Sequence, residues 1–153
     1  MNIEQLKAAL KLDNIRRFST HWVLRDDRVS QHSFRAALLY IYLGGTEVAA
    51  MLTHDAPESV TGDLPSPVKP HLKGLEAFDY LSIPFVSATE KRVGKLADKL
   101  DLVLFLKDQL NSVGKLPDRL MTIYEEELEK VLDIAKELGK TGDVRKLLKE
   151  TTK

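Results

Sequence analysis

The chain holds four histidines, His21, His32, His54 and His71, and no cysteine. Thiol catalysis, disulfides and zinc–cysteine sites are therefore excluded, and any metal must be held by imidazole and carboxylate. His54 is followed directly by Asp55. Alone the pair means little: 12 of 153 residues are Asp, so four histidines produce such a pair by chance about one time in three. Its company is more informative. His32 falls in the first turn of a predicted helix, His54–Asp55 at the C-terminal end of the next, and Asp98 inside the most apolar helical stretch. A buried carboxylate needs a cation, a donor or a metal. Two imidazoles and two carboxylates can hold a divalent ion and leave positions open for water and substrate. Read separately, His32 is a polar residue at a helix start, and Asp98 has Arg92 and Lys95 within about one or two turns. Spacing alone leaves both readings open.

These residues must be positioned by helices, because helical periodicity dominates and period-2 patterns are almost absent. Ile3, Leu6, Ala9 and Leu10 predict a short first helix. Ser30 to Tyr42 reads as a second, with Ser30 as its cap and Gly44–Gly45 as its stop. Thr46 is placed to cap a third, running through Val48, Ala49, Met51 and Leu52 towards His54. Residues 59–70, with three prolines and a glycine, read as a loop. His71 to Leu81 reads as a modest helix and Glu90 to Leu110 as a long one, apolar nearly all round and hence central. Pro117 opens a further helix lasting to Gly139, and a short one surrounds Val144 to Leu148. Glu125, Glu126 and Glu127 read as a solvated helix face. The expectation is all-α: a compact bundle of about six to seven helices in one domain, residues 1–153, with the site between about 15 and 110 and C-terminal helices over 117–150.

Composition narrows the partners. Lys plus Arg and Asp plus Glu each number 23, a formal charge of +0. A binder that relies on charge to hold nucleic acid usually carries a basic excess, so none is expected as a partner. No apolar run approaches the roughly 20 residues that span a bilayer, and the opening MNIEQLKAAL lacks the apolar region of a signal peptide. The absence of cysteine fits a reducing compartment. The expectation is a cytoplasmic protein, in the host cytoplasm if viral, that acts on a small molecule.

The pattern His32, His54–Asp55, Asp98 resembles the signature of the HD-domain phosphohydrolase superfamily: a histidine, a His–Asp pair and a distant Asp on a later helix. The segments VSQHS (29–33), HDAPESVTGDLPSPVK (54–69) and LADKLD (96–101) resemble the bacterial 5'-deoxynucleotidase branch. Arg17–Phe18 falls where that branch carries an Arg–Trp pair. The resemblance spans about residues 15–110, and its TGDLPSPVK loop is the most specific part. Compactness adds a second likeness. The gaps of 22 residues from His32 to His54 and 43 from Asp55 to Asp98 are short for the monophosphatases. They are similar to those of the small dATP triphosphohydrolases of phages that replace adenine with 2-aminoadenine.

The resemblance implies an HD-domain helical bundle and metal-dependent hydrolysis of free deoxynucleotides. His32, His54, Asp55 and Asp98 would hold Zn, Co, Mn, Fe or Ni, with Mg or Mn at a second, oxygen-rich position. Such an ion polarises a phosphate oxygen and lowers the pKa of bound water, which attacks the α-phosphorus and releases the deoxynucleoside. Glu58 would act with Asp55 as the catalytic pair, Glu58 as general acid/base; read alone it is an exposed Glu after a proline. Arg17 would grip phosphate or sugar oxygens, and Phe18 would stack on the base with less area than Trp and no indole donor. Asp63 would recognise the sugar 3'-hydroxyl or a second ion, with an Asx-turn as the alternative. Lys69 would reach a phosphate. Thr20 stands where relatives have an aliphatic residue, Trp22 reads as packing or loop anchoring, and His21 and His71 as surface residues. The favoured substrate is dATP, giving deoxyadenosine plus triphosphate; the alternative is a 5'-monophosphatase. A helical binding protein with a silent HD site is a rival that the intact ligand set speaks against, and a signalling phosphodiesterase is one that the TGDLPSPVK loop speaks against. The resemblance also implies a homo-oligomer, dimer or hexamer.

Overall fold

The computed structural model describes residues 1–17, 26–64 and 69–150. Among these residues seven α-helices follow one another: α1 (Ile3–Lys11), α2 (Val29–Tyr42), α3 (Val48–Leu52), α4 (Glu58–Thr61), α5 (Ala88–Val113), α6 (Asp118–Glu137) and α7 (Thr141–Glu150). Tighter 3₁₀ turns cover Leu12–Asn14, Lys69–His71 and Leu75–Leu81. Among the described residues the fold is all-α, and the nearest approach to a strand is an isolated antiparallel bridge between Arg16 and Arg28.

The fold is built around α5, whose 26 residues span about 39 Å at 1.5 Å per residue. Ser87 caps its start by accepting from the Glu90 N–H at 3.1 Å, and Gly114, at φ 77°, ends it. Val93, Leu96, Ala97, Leu100 and Val103 of α5 pack with Ala36, Ala37 and Tyr40 of α2, Met51 of α3, Val131 and Ile134 of α6, and Val144 of α7. Farther along, Phe105 and Leu106 pack with Leu116 and Leu120. Ala36 and Ala37 of α2 and Ala97 of α5 are small residues of this core. At Gly94 a Cβ would lie 2.6 Å from the Phe85 ring. Leu100 is fully buried in this core. Leu100→Ala is expected to lower unfolding free energy by about 2–5 kcal/mol, because the cavity collapses only partly; urea denaturation with an unchanged m-value checks it.

Several local expectations need correction. Ser30 does not cap α2. The helix begins one residue earlier, and the Ser30 hydroxyl donates to Asp13 Oδ1 at 2.9 Å. Thr46 does not cap α3; its N–H and hydroxyl donate to Glu90 at 3.2 and 2.9 Å, across to the start of α5. The segment expected as a loop begins with the α4 turn, and the expected helix over 71–81 is 3₁₀ from Leu75. Glu125 and Glu126 are exposed, but Glu127 turns inward and accepts from Lys99 Nζ of α5 at 2.5 Å. α1 is held down by Gln5, whose Nε2 donates to the carbonyls of Tyr80 and Ser82 at 3.2 and 3.1 Å.

Candidate metal centre

Four elements meet at one place. The first turn of α2 carries His32, the turn after α3 carries His54 and Asp55, the start of α4 carries Glu58, and α5 presents Asp98. His32 Nε2 lies 3.1 Å from Asp98 Oδ1 and 3.3 Å from Asp55 Oδ2. His54 Nε2 lies 3.2 Å from Asp55 Oδ2 and 3.9 Å from Asp98 Oδ1. One ligand atom each of His32, His54 and Asp98 falls within a 4.8 Å span. Asp98 does not pair with Arg92, which instead binds Glu137 of α6. Asp98 also keeps 43% of its side-chain exposure, so solvent reaches the meeting point.

The hydrogen bonds decide which ring nitrogens face this point. His54 Nδ1 contacts the Met51 carbonyl at 2.7 Å. A carbonyl only accepts, so Nδ1 carries the proton and Nε2 of the neutral ring carries the lone pair. His32 Nδ1 likewise contacts Asp101 Oδ2 at 2.7 Å. Both Nε2 atoms are thus directed at the carboxylates, and His54 Nε2 is buried with no hydrogen-bond partner. A buried nitrogen left unsatisfied is costly. This donor set fits a divalent metal: each histidine Nε2 stands 3.1–3.9 Å from the Asp55 and Asp98 oxygens, against the roughly 3.4 Å expected between ligands at about 2.1 Å in a tetrahedral array.

Charge supports the same fit. Burial and Arg17 both oppose a charge on His32, but Asp101, Asp55 and Asp98 outweigh them and hold its pKa well above the usual value. Burial also opposes a charge on His54, and Asp55 and Asp98 overcome it. Burial pushes Asp55 upward, yet His54 and His32 hold it at about 2. Asp98 is likewise held well below the usual range, against desolvation, by His32, whose Nε2 is 3.1 Å away, and by the nearby His54. Without a metal, the carboxylates draw protons onto the imidazoles; a dication would compete with those protons for Nε2.

Glu58 is 7% exposed. Burial and then the charge of Asp55 raise its pKa to about 7, against the opposing pull of Lys69. Lys69 Nζ donates to Glu58 Oε1 at 2.9 Å. The charge of Asp63 reaches both groups, raising each pKa. Arg17 lies behind the site, its Nη1 3.1 Å from Asp27 Oδ2 and 3.4 Å from Asp101 Oδ2. His71 is exposed. Phe18, Thr20, His21, Trp22 and the prolines at 65 and 67 lie outside the described residues. Sequence reading missed Asp27, Arg35 and Asp101. Two of them leave a faint signal, since Arg35 is three residues after His32 and Asp101 three after Asp98, on the same helix faces.

A family model for 5'-deoxynucleotidase YfbR-like proteins matches residues 5–101, which carry every residue of the site. The chain belongs to that family. It is thereby a member of the 5'-deoxynucleotidase branch of the HD-domain phosphohydrolases, and the family supports hydrolase activity. No curated protein matches it significantly in sequence. Solved structures share the fold of this family member. An HD phosphohydrolase of cyanophage S-2L, bound to dA and one catalytic zinc ion, is similar with a TM-score of 0.73 at 21% identity, over 98% of this chain and 99% of that one. An HD-domain phosphohydrolase of Listeria innocua gives 0.75 at 15% identity, over 99% and 90%. A conserved hypothetical protein of Pyrococcus furiosus gives 0.65 at 22%, over 95% and 99%. Among the described residues, no helix is long and apolar enough to cross a membrane.

Proposed function

We propose that this YfbR-like protein is a metal-dependent phosphohydrolase of free deoxynucleotides, with dATP as favoured substrate and deoxyadenosine plus triphosphate as products. The observation that carries the reading is the convergence of His32, His54, Asp55 and Asp98, with His54 Nε2 buried and unsatisfied among them. These four would hold a divalent ion, zinc being the first candidate since the cyanophage protein is bound to it. When bound, the ion would supply Lewis-acid polarisation of a phosphate oxygen and a lowered water pKa.

The chain's own groups do the rest. Glu58, with a pKa of about 7, is poised near neutrality both to accept and to return a proton. It would take the proton of the attacking water. A new oxygen bond forms at the α-phosphorus, the bond to the nucleoside 5'-oxygen breaks, and that oxygen leaves with the proton from Glu58. Lys69, engaged with Oε1, orients the Glu58 carboxylate and places a positive charge beside the phosphates. Asp63 would recognise the 3'-hydroxyl, Phe18 would stack on the base, and Arg17 would steady the site from behind.

Support for dATP comes from size and likeness: the cyanophage protein holds dA, and the two chains match over nearly their full lengths. The family model's own name favours the second reading, a deoxynucleoside 5'-monophosphatase. Product analysis separates them. Metal-loaded protein given each dNTP and dNMP is expected to release deoxyadenosine and inorganic triphosphate from dATP. Activity confined to monophosphates would reject dATP in favour of the second reading, and release of pyrophosphate would exclude attack with loss of the nucleoside.

A further inference from the structure

Behind His32 lies a closed ring of charge. Arg35 Nη1 and Nη2 grip Asp27 at 2.8 and 3.0 Å, while its Nε and Nη2 grip Asp101 at 2.7 and 3.1 Å. Arg17 bridges the same two carboxylates. Asp27 and Asp101 are 1% and 2% exposed, and the Arg35 guanidinium sits 5.7 Å from the Phe105 ring centroid. Two guanidiniums balance two carboxylates. Such a cluster is expensive to desolvate, and apolar residues of similar volume often serve stability as well or better. Such a cluster is thus a weak source of stability, and its geometry bears on position.

α2 supplies His32 and, one turn on, Arg35; α5 supplies Asp98 and, one turn on, Asp101. Each helix gives one residue to the metal point and one to the ring. Asp101 Oδ1 accepts from Arg35 Nε, and Oδ2, itself held by Arg35 Nη2 and Arg17 Nη1, lies 2.7 Å from His32 Nδ1. That bond fixes the imidazole's tautomer and its rotation. Arg17 and Asp27 join from the two limbs of the bridge that precedes α2, where Arg17 N–H donates to the Asp27 carbonyl at 3.0 Å.

We infer that Arg35 is a positioning residue for the metal centre: by bridging Asp101 and Asp27, with Arg17 closing the ring, it fixes the Asp101–His32 hydrogen bond and so the direction of His32 Nε2. The inference rests on the metal reading proposed above. Partners of this kind change metal affinity by about 10–100-fold, and a lysine, a point charge, cannot bridge two carboxylates in this way.

The test is zinc affinity of the metal-stripped full chain, by competition with a chromogenic chelator, for wild type, Arg35→Met, Arg35→Lys and Asp101→Asn, with circular dichroism to confirm folding. About 10–100-fold weaker binding is expected in all three variants, with Arg35→Lys failing to restore affinity. In ¹⁵N-resolved spectra, a His32 Nδ1–H signal is expected in wild type and should shift or vanish in the variants. Folded variants that bind zinc like wild type and keep that signal would overturn the inference. Should Arg35→Met not fold, the near-isosteric Asp101→Asn decides. Wild type that binds no zinc would count against the proposed metal site, while the Nδ1–H signal would still decide whether the ring positions His32.

Discussion

Replacing Asp55 by alanine is expected to abolish deoxynucleotide hydrolysis and to weaken zinc binding together. Asp55 Oδ2 stands 3.3 Å from His32 Nε2 and 3.2 Å from His54 Nε2, so it lies close to both imidazoles. Its removal leaves three candidate ligands. Metal polarisation contributes several kcal/mol to a phosphoryl transition state, so kcat should fall by roughly 10³-fold or more. A second readout requires no substrate. After burial, the charge of Asp55 is the largest influence on His54, and it raises the pKa together with Asp98, so the His54 pKa of the metal-free variant should fall, as NMR titration would show. Near wild-type turnover in Asp55→Ala would remove this residue from the chemistry.

Glu58→Gln is expected to separate catalysis from metal binding. Glutamine keeps the shape but cannot take a proton, so kcat should fall about 10²–10⁴-fold while zinc affinity stays near that of wild type. Stability should move the other way. The Glu58 pKa is about 7 in the fold against 4.5 for an ordinary glutamate. The folded state therefore holds this proton more tightly than the unfolded state, and ionisation costs stability as pH rises from about 4.5 through about 7. At pH 8 the metal-free variant should be more stable than wild type by up to ~3 kcal/mol, the Lys69 contact being already included in the raised pKa. At pH 4 the two should be nearly equal. Urea unfolding at both pH values measures this. A variant that is less stable at pH 8 would mean that the Lys69 pair outweighs the burial of the carboxylate.

Residues whose role is set by a repeat along one helix were legible in the sequence; residues whose role is set by another helix were not. The periodicity of Val93, Leu96, Leu100 and Val103 marks α5 as the central helix, and the core is built on it. The His54–Asp55 pair, His32 and Asp98 were singled out by their resemblance to a known signature, since spacing alone left a structural reading open, and their side chains meet. Thr46 looked like a cap because capping is a local rule; its actual acceptor, Glu90, is 44 residues away. Glu127 looked solvated beside Glu125 and Glu126, but Lys99 of α5 draws it inward. Asp27, Arg35 and Asp101 are unremarkable charges until the bridge before α2 and the α2–α5 crossing bring them together. Base recognition through Phe18 falls on residues 18–25, outside the described part of the chain.

The central claim is that His32, His54, Asp55 and Asp98 jointly hold the catalytic ion. Anomalous diffraction from zinc-soaked crystals tests it most directly. One strong peak is expected about 2.0–2.2 Å from Nε2 of both histidines and from a carboxylate oxygen of Asp55 and of Asp98. A zinc peak bound by other side chains, with these four left unbound in active protein, would contradict it.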